Sequence, residues 1–219
     1  MARTYLERKE AWAAKMRSVP ARTERVEGRL PPGQHTVKEL PVLDLGIHPE
    51  VAASDWQLEI GGLVEKPLVM GWQALMALKQ VETTSDFHCV TTWSKYDCFW
   101  GGVPMAEILD LVKPTDEAKF VLFVSHDDYT TNLPIAALFA EDAMLATSLH
   151  GEPLSVKHGG PVRVVIPQLY AWKSAKFIRK IDFLAEDTPG YWEKRGYSNT
   201  ADPWLEERFS GEEVPGWRD

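Results

Sequence analysis

The 219 residues carry 24 Lys and Arg against 32 Asp and Glu, a formal charge of -8, with 44% hydrophobic and 26% charged residues. That is the composition of a soluble globular protein with enough chain to bury a sizeable core. Its acidity excludes a general nucleic-acid or anionic-membrane binder, which needs a basic face.

Residues 4–17 alternate charge with Leu6, Trp12, Ala13 and Met16, which predicts a short amphipathic helix. This N-terminal stretch has no apolar signal core and no adjacent arginine pair, and no run approaches the length needed to cross a bilayer. Two cysteines cannot build a disulfide framework and demand no oxidising compartment. The expectation is a cytoplasmic protein without a membrane span. Arg22 to Gly33 is charged and closes on Leu30-Pro31-Pro32-Gly33, a turn-rich linker. Residues 1–33 are therefore expected to form a helix and linker, and residues 34–219 one domain that begins at Leu40-Pro41-Val42-Leu43-Asp44-Leu45-Gly46.

Trp56 to Ile60 alternates as a half-buried strand does. A helix is predicted from Gly71 to Leu78 with Trp72, Leu75 and Met76 on one side, and an extended run from Thr83 into Val90. Trp100-Gly101-Gly102-Val103-Pro104 reads as a turn, with Pro104 opening a short amphipathic helix that ends near Val112. Phe120 to Val124 is the clearest buried strand. His126 to Tyr129 is a polar turn, Thr130 to Leu133 extends again, and Ile135 to Phe139 is a short helix. Met144 to Thr147, Val162 to Ile166 and Ile178 to Leu184 are further strands, and the tail from Thr188 is a surface wrap. Many short strands, few helices and long loops define an α+β domain. Nine tryptophans are assigned by default to its core.

Two stretches carry chemistry. In Thr83 to Asp97, Cys89 sits among a histidine, hydroxyls, a lysine and aromatic rings. A buried structural thiol and a soft metal ligand are both compatible with it. Arg163 to Lys180 concentrates Arg163, Lys173, Lys176, Arg179 and Lys180 around Tyr170, Trp172 and Ser174. This is either a solvated basic face or a phosphate seat, and the glycine pattern of a P-loop is missing. A zinc site from Cys89, Cys98 and one of His88, His126, His150 or His158 lacks the short ligand spacing. A cysteine hydrolase built on Cys89 lacks a nucleophile-turn motif.

The run Phe87-His88-Cys89-Val90-Thr91-Thr92-Trp93-Ser94 resembles the molybdenum-ligand segment of the sulfite oxidase family of molybdopterin enzymes. It is most similar to the bacterial branch containing the methionine sulfoxide reductase catalytic subunit. Gly159-Gly160-Pro161-Val162-Arg163, followed by Ile166 to Lys176, resembles the family's cofactor-binding segment. The similar pieces fall in the family's order from roughly Leu40 to Leu184.

The resemblance implies the sulfite oxidase-type fold, with mixed β-sheets, short helices and long loops. It implies a molybdenum (or tungsten) molybdopterin whose metal Cys89 ligates, with Tyr170, Trp93 and Lys95 placed at the reacting centre. Phe87, His88, Thr91, His126, Thr130, Arg163, Lys173, Ser174 and Lys176 would bind the cofactor. The implied reaction is oxygen-atom transfer with a small oxyanion, S-oxide or N-oxide, and a separate electron-transfer protein or haem partner. Sulfite dehydrogenation and a non-catalytic pterin carrier are the alternatives. At the position where the sulfite-oxidising branch carries a basic residue close after the ligand cysteine, this chain has Trp93, and its first cation is Lys95. Cys98 falls where the family needs no ligand.

Overall fold

Strict alternation of apolar with polar residues commits a segment to a sheet, because successive side chains leave a strand on opposite faces. The computed structural model describes residues 27–210 together with Glu7, Arg8, Glu10, Ala11, Ala21, Arg22 and Glu24. Most of the helix expected over residues 4–17 lies outside the described residues. In chain order the elements are β1 (His35–Thr36), β2 (Gln57–Gly62), β3 (Leu68–Gly71), α1 (Trp72–Ala77), β4 (Val81–His88) and β5 (Trp93–Pro104). Then come α2 (Met105–Val112), β6 (Phe120–Ser125), β7 (Thr130–Pro134), β8 (Met144–Leu149), β9 (Glu152–Pro153), β10 (Arg163–Val165) and β11 (Ile178–Leu184).

They form two mixed sheets. One is six-stranded, with β1-β5-β8-β10 in order, β4 on β5 and β9 on β8; the other is five-stranded in the order β3-β2-β11-β6-β7. One hydrophobic cluster holds side chains from both, including Leu58, Ile60, Phe123, Ile181 and Phe183 from one sheet and Trp100, Val103, Leu145 and Val164 from the other. The sheets are also joined through the backbone where Val164 N–H donates to Ala175 O at 2.8 Å and Ile178 N–H to Val162 O at 3.2 Å.

The strands expected near 56–60, 120–124, 162–166 and 178–184 are present, and Pro104 does cap the helix Met105–Val112. The segment Trp100 to Pro104 is not a turn. It is the second half of a twelve-residue strand, β5. Gly101 and Gly102 are there because β8 crosses close to them: a Cβ on Gly102 would stand 2.1 Å from Leu145 O. The strand register shifts between Gly101 and Gly102, as a bulge beside glycine does. Helix α1 buries Leu75, whereas Met76 is exposed. The segment Ile135–Phe139 winds as a 3-10 helix.

Gly102→Ala is expected to cost at least about 3 kcal/mol, the upper end of overpacking, because backbone atoms cannot yield as a flexible side chain can. The denaturation midpoint of the purified variant measures it.

Candidate functional site

Strand β4 ends at His88 and β5 begins at Trp93, so Cys89 lies in the tight reversal between them. Cys89 N–H donates to Trp93 O at 2.9 Å and Thr92 N–H donates to Cys89 O at 3.0 Å. Thr92 takes φ +77, the left-handed conformation that the reversal needs. Strand β1 lies alongside, with His35 N–H donating to Thr92 O at 2.9 Å, and Gln34 Nε2 donates to Cys89 O at 3.0 Å. The thiol is 6% exposed, and its sulfur is 3.2 Å from Thr91 Oγ1.

Cys89 opens into a cleft of about 810 Å³ of empty space, solvent at its mouth included. Phe87, Thr91 and Trp93 line it with Cys89, and Arg163, Ser174, Lys176 and His158 line it from the β10 side. The loop Leu40 to Leu45 contributes a further wall, and Trp172, Trp192 and Tyr197 an aromatic one. Trp172 stacks on Tyr170 at 5.4 Å and on Tyr197 at 5.1 Å.

The cationic wall is rigid. Arg163 is buried and donates to Val164 O, His158 O and Ser174 O, which fixes its fork. Burial pulls its pKa down to about 10. Ser174 Oγ accepts from Ile166 N–H at 2.9 Å. Lys176 Nζ donates to Lys157 O at 2.6 Å and pairs with Asp44 Oδ2 at 3.1 Å. Gly159, at φ +100, admits this lysine: a Cβ there would be 2.8 Å from Lys176 Cγ. Burial pushes the Asp44 carboxyl up, but Gly46 N–H, Lys176 and His48 outweigh it and hold the pKa below the usual value. Burial raises that of Asp127. Desolvation, reinforced by Arg163 and Lys176, lowers His158 to about 4, so its ring is neutral at pH 7.

Of the residues expected at the site, the cleft gathers Cys89, Trp93, Phe87, Thr91, Arg163, Ser174 and Lys176. It does not gather the rest. His88 turns to the opposite face of its strand, bonded to Ser94 Oγ at 2.8 Å and edge-on to Trp204 at 5.0 Å, and burial lowers its pKa to about 4. Lys95 folds back on Tyr96 O. Asp127 and Tyr129 line the cleft where His126 and Thr130 were expected, a shift of one residue that exchanges the faces.

Lys173 is fully buried away from the lining. Its Nζ lies 2.6 Å from Glu193 Oε1 and donates to Asn132 O at 2.6 Å. Glu193 Oε1 also accepts from Thr131 Oγ1 and from Trp172 Nε1. Lys173 thus anchors the tail. Tyr170 is buried behind Trp172, and its pKa is raised by burial with Arg208, Glu206, Gln34 and Cys89 as neighbours. The tail itself is more than a surface wrap: Trp192, Tyr197, Ala201 and Phe209 are core residues. The sequence offered His158 only as a zinc candidate, and gave Asp44 and this aromatic wall no place at the site. Only the His-Gly-Gly-Pro run hinted at His158 in the cleft.

Among the described residues no group of three or more His, Cys, Asp or Glu can hold a metal ion. Cys98 points toward Lys95 O at 3.7 Å, and burial raises its pKa to about 11, so the zinc arrangement does not form. What the cleft offers is one soft donor, cations with backbone-fixed geometry, and Trp93 Nε1, a buried donor with no protein acceptor. That set fits a large anionic, aromatic molecule which brings a metal with most of its ligands already in place.

A model of the family described as "Oxidoreductase molybdopterin binding domain" matches residues 45–192. The chain is 40% identical over 184 residues to the uncharacterized oxidoreductase YuiH of Bacillus subtilis (strain 168), which covers 84% of this chain and 93% of that protein. It is 32% identical over 156 residues to the protein-methionine-sulfoxide reductase catalytic subunit MsrP of Campylobacter jejuni, covering 64% of this chain and 52% of MsrP. The chain therefore spans about half the length of that reductase. The solved sulfane dehydrogenase SoxCD from Paracoccus pantotrophus shares the fold with a TM-score of 0.60 at 23% identity, over 68% of this chain and 42% of that one.

Lys173→Met is expected to destabilise the fold by about 3–5 kcal/mol, because Glu193 is left buried and uncompensated, and adding Glu193→Leu should restore much of it. Paired denaturation curves check both. His158, lowered in the folded state from an ordinary value of about 6.5, makes the unfolded chain the better proton binder between pH 6.5 and 4. Stability of the cofactor-free protein should fall as pH drops through that window, and His158→Gln should flatten the fall in denaturation curves taken at stepped pH.

Proposed function

The chain belongs to the oxidoreductase molybdopterin-binding domain family, with the mixed-sheet fold of the sulfite oxidase type, and from that premise we propose that Cys89 is its protein ligand to molybdenum. The observation that carries this reading is that the Cys89 sulfur and the donors Arg163, Ser174 and Lys176 line one cleft. Arg163 and Lys176 would neutralise the anionic tail of the pterin, Ser174 would orient it, and His158 would present a neutral ring to it. Phe87 and Trp93 would enclose the organic body and keep water from the metal. When bound, the molybdenum centre supplies two-electron oxygen-atom transfer.

The chain's own residues supply the rest. The Thr91 hydroxyl, 3.2 Å from the Cys89 sulfur, orients and stabilises the thiolate. Trp172, Trp192 and Tyr197 give the cleft an uncharged aromatic wall, which favours a neutral S-oxide or N-oxide over an anion such as sulfite. Electrons would come from a separate carrier, a reading supported by the designation of the MsrP relatives as a catalytic subunit. Among the described residues no helix is long and apolar enough to cross a membrane. A cytoplasmic setting is part of the proposal, consistent with the two free thiols.

Elemental analysis of freshly purified protein should find about one molybdenum per chain, with tungsten the alternative metal. Cys89→Ser should keep the fold by circular dichroism and lose turnover of sulfoxides and N-oxides with reduced viologen dye. Normal turnover in that variant would count against the ligand assignment, and a preference for sulfite against the substrate reading.

A further inference from the structure

The last stretch of the described chain returns to the back of the Cys89 turn. Tyr197 and Phe209 pair as an isolated antiparallel bridge, and Ser198 N–H donates to Arg208 O at 3.1 Å, so Arg208 sits on the return limb of a short hairpin. Its side chain points inward and is 3% exposed. Nη1 donates to Val90 O at 2.6 Å, Nη2 donates to Pro32 O at 3.2 Å, and Cζ lies 5.0 Å from the Tyr170 ring centroid. Gly33, at φ +67, gives it room, since a Cβ there would be 3.2 Å from Nη2.

Such a burial is expensive for a structural tie alone. An arginine cannot shed its proton, and burying a charge costs several kcal/mol unless an opposite charge compensates it. The neighbouring carboxylate of Glu206 is shared: its Oε1 stands 3.8 Å from Arg208 Nη2, beyond hydrogen-bond reach, and its Oε2 is taken by Arg22 Nε at 2.8 Å, so it offsets the buried charge only in part. A neutral amide could make the same bond to Val90 O. What the guanidinium adds is a fixed positive charge one residue from Cys89.

We infer that Arg208 is a positioning residue for the metal-binding thiolate. It holds the Val90 carbonyl, and with it the turn that aims the Cys89 sulfur, and it keeps a permanent cation at that turn. The inference rests on the reading of Cys89 as the molybdenum ligand. A cation beside the centre stabilises the more negative, reduced state, so Arg208 raises the reduction potential of the bound metal. It acts from a segment outside the matched residues 45–192.

The test is a redox titration of the molybdenum-loaded wild type, Arg208→Gln, Arg208→Lys and Glu206→Gln, followed by the electron paramagnetic resonance signal of the one-electron-reduced metal. Arg208→Gln should move the midpoint to lower potential and alter the signal, and Arg208→Lys should recover most of the midpoint. Glu206→Gln removes the adjacent negative charge and should move the midpoint upward, which keeps the inference testable if Arg208→Gln does not fold. A metal content equal to wild type with an unmoved midpoint and signal in the Arg208 and Glu206 variants, whatever their thermal stability, overturns the inference alone. A wild type that carries neither molybdenum nor tungsten overturns the ligand reading and this inference with it.

Discussion

The structure turns on one tight reversal of the chain, the step from His88 to Trp93 in which Thr92 accepts a left-handed backbone. Two long neighbouring strands, β4 and β5, pair from Val81 with Gly102 down to His88 with Ser94. Their ladder leaves the reversal no freedom in direction. The carbonyls inside it are then taken up from outside: that of Cys89 by Gln34, that of Val90 by Arg208, that of Thr92 by His35. One of those donors, Gln34, comes from just before β1, one, His35, opens β1, and Arg208 comes from far along the chain. Satisfying buried carbonyls in this way makes the thiol's position a property of the whole fold, since a buried carbonyl left without its bond costs more than a made bond contributes.

The opposite side of the cleft is held by the same logic with charge added. Arg163 spends its donors on three backbone carbonyls, which costs it mobility and leaves it a rigid cation. Asp44 keeps Lys176 in place from a loop without regular secondary structure. The Lys173–Glu193 pair lies deeper and ties the tail to the strand β7 through Thr131 and Asn132. A lysine so completely enclosed is a structural cation, whereas Lys176, three residues later, reaches the cleft.

How much of this was legible follows from which signals are local. Phe120–Ser125 and Ile178–Leu184 announce themselves because a short run rich in apolar, β-prone residues is a property of the strand alone. The strand through Gly101 and Gly102 was hidden, since its glycines are explained only by the approach of β8, forty residues on. At the site, Cys89, Trp93, Arg163, Ser174 and Lys176 stood out through the resemblance of their segments to the family's, since residue type alone left a structural thiol and a solvated basic face open. The division between Lys173 and Lys176, or between His126 and Asp127, depends on which way a backbone segment faces, and sequence order does not carry that. The aromatic wall from Trp172 to Tyr197 was equally out of reach, because a tryptophan in a core and a tryptophan on a cleft look alike until the neighbours are known.

The two walls of the cleft must work together to hold a metal. Among the described residues no three metal-ligating side chains converge, so a metal bound through Cys89 would have one protein bond. A single thiolate cannot define a coordination geometry; the remaining ligands must arrive with the metal on its own chelate. The grip on the metal is then exerted indirectly, through the cations and hydroxyl that hold the chelate's anionic end. In this chain those groups are fixed by backbone carbonyls of the β10 region, and the thiol by carbonyl bonds of the β4–β5 turn. The spacing between two independently braced walls, more than any bond to the metal, would set the geometry of the centre.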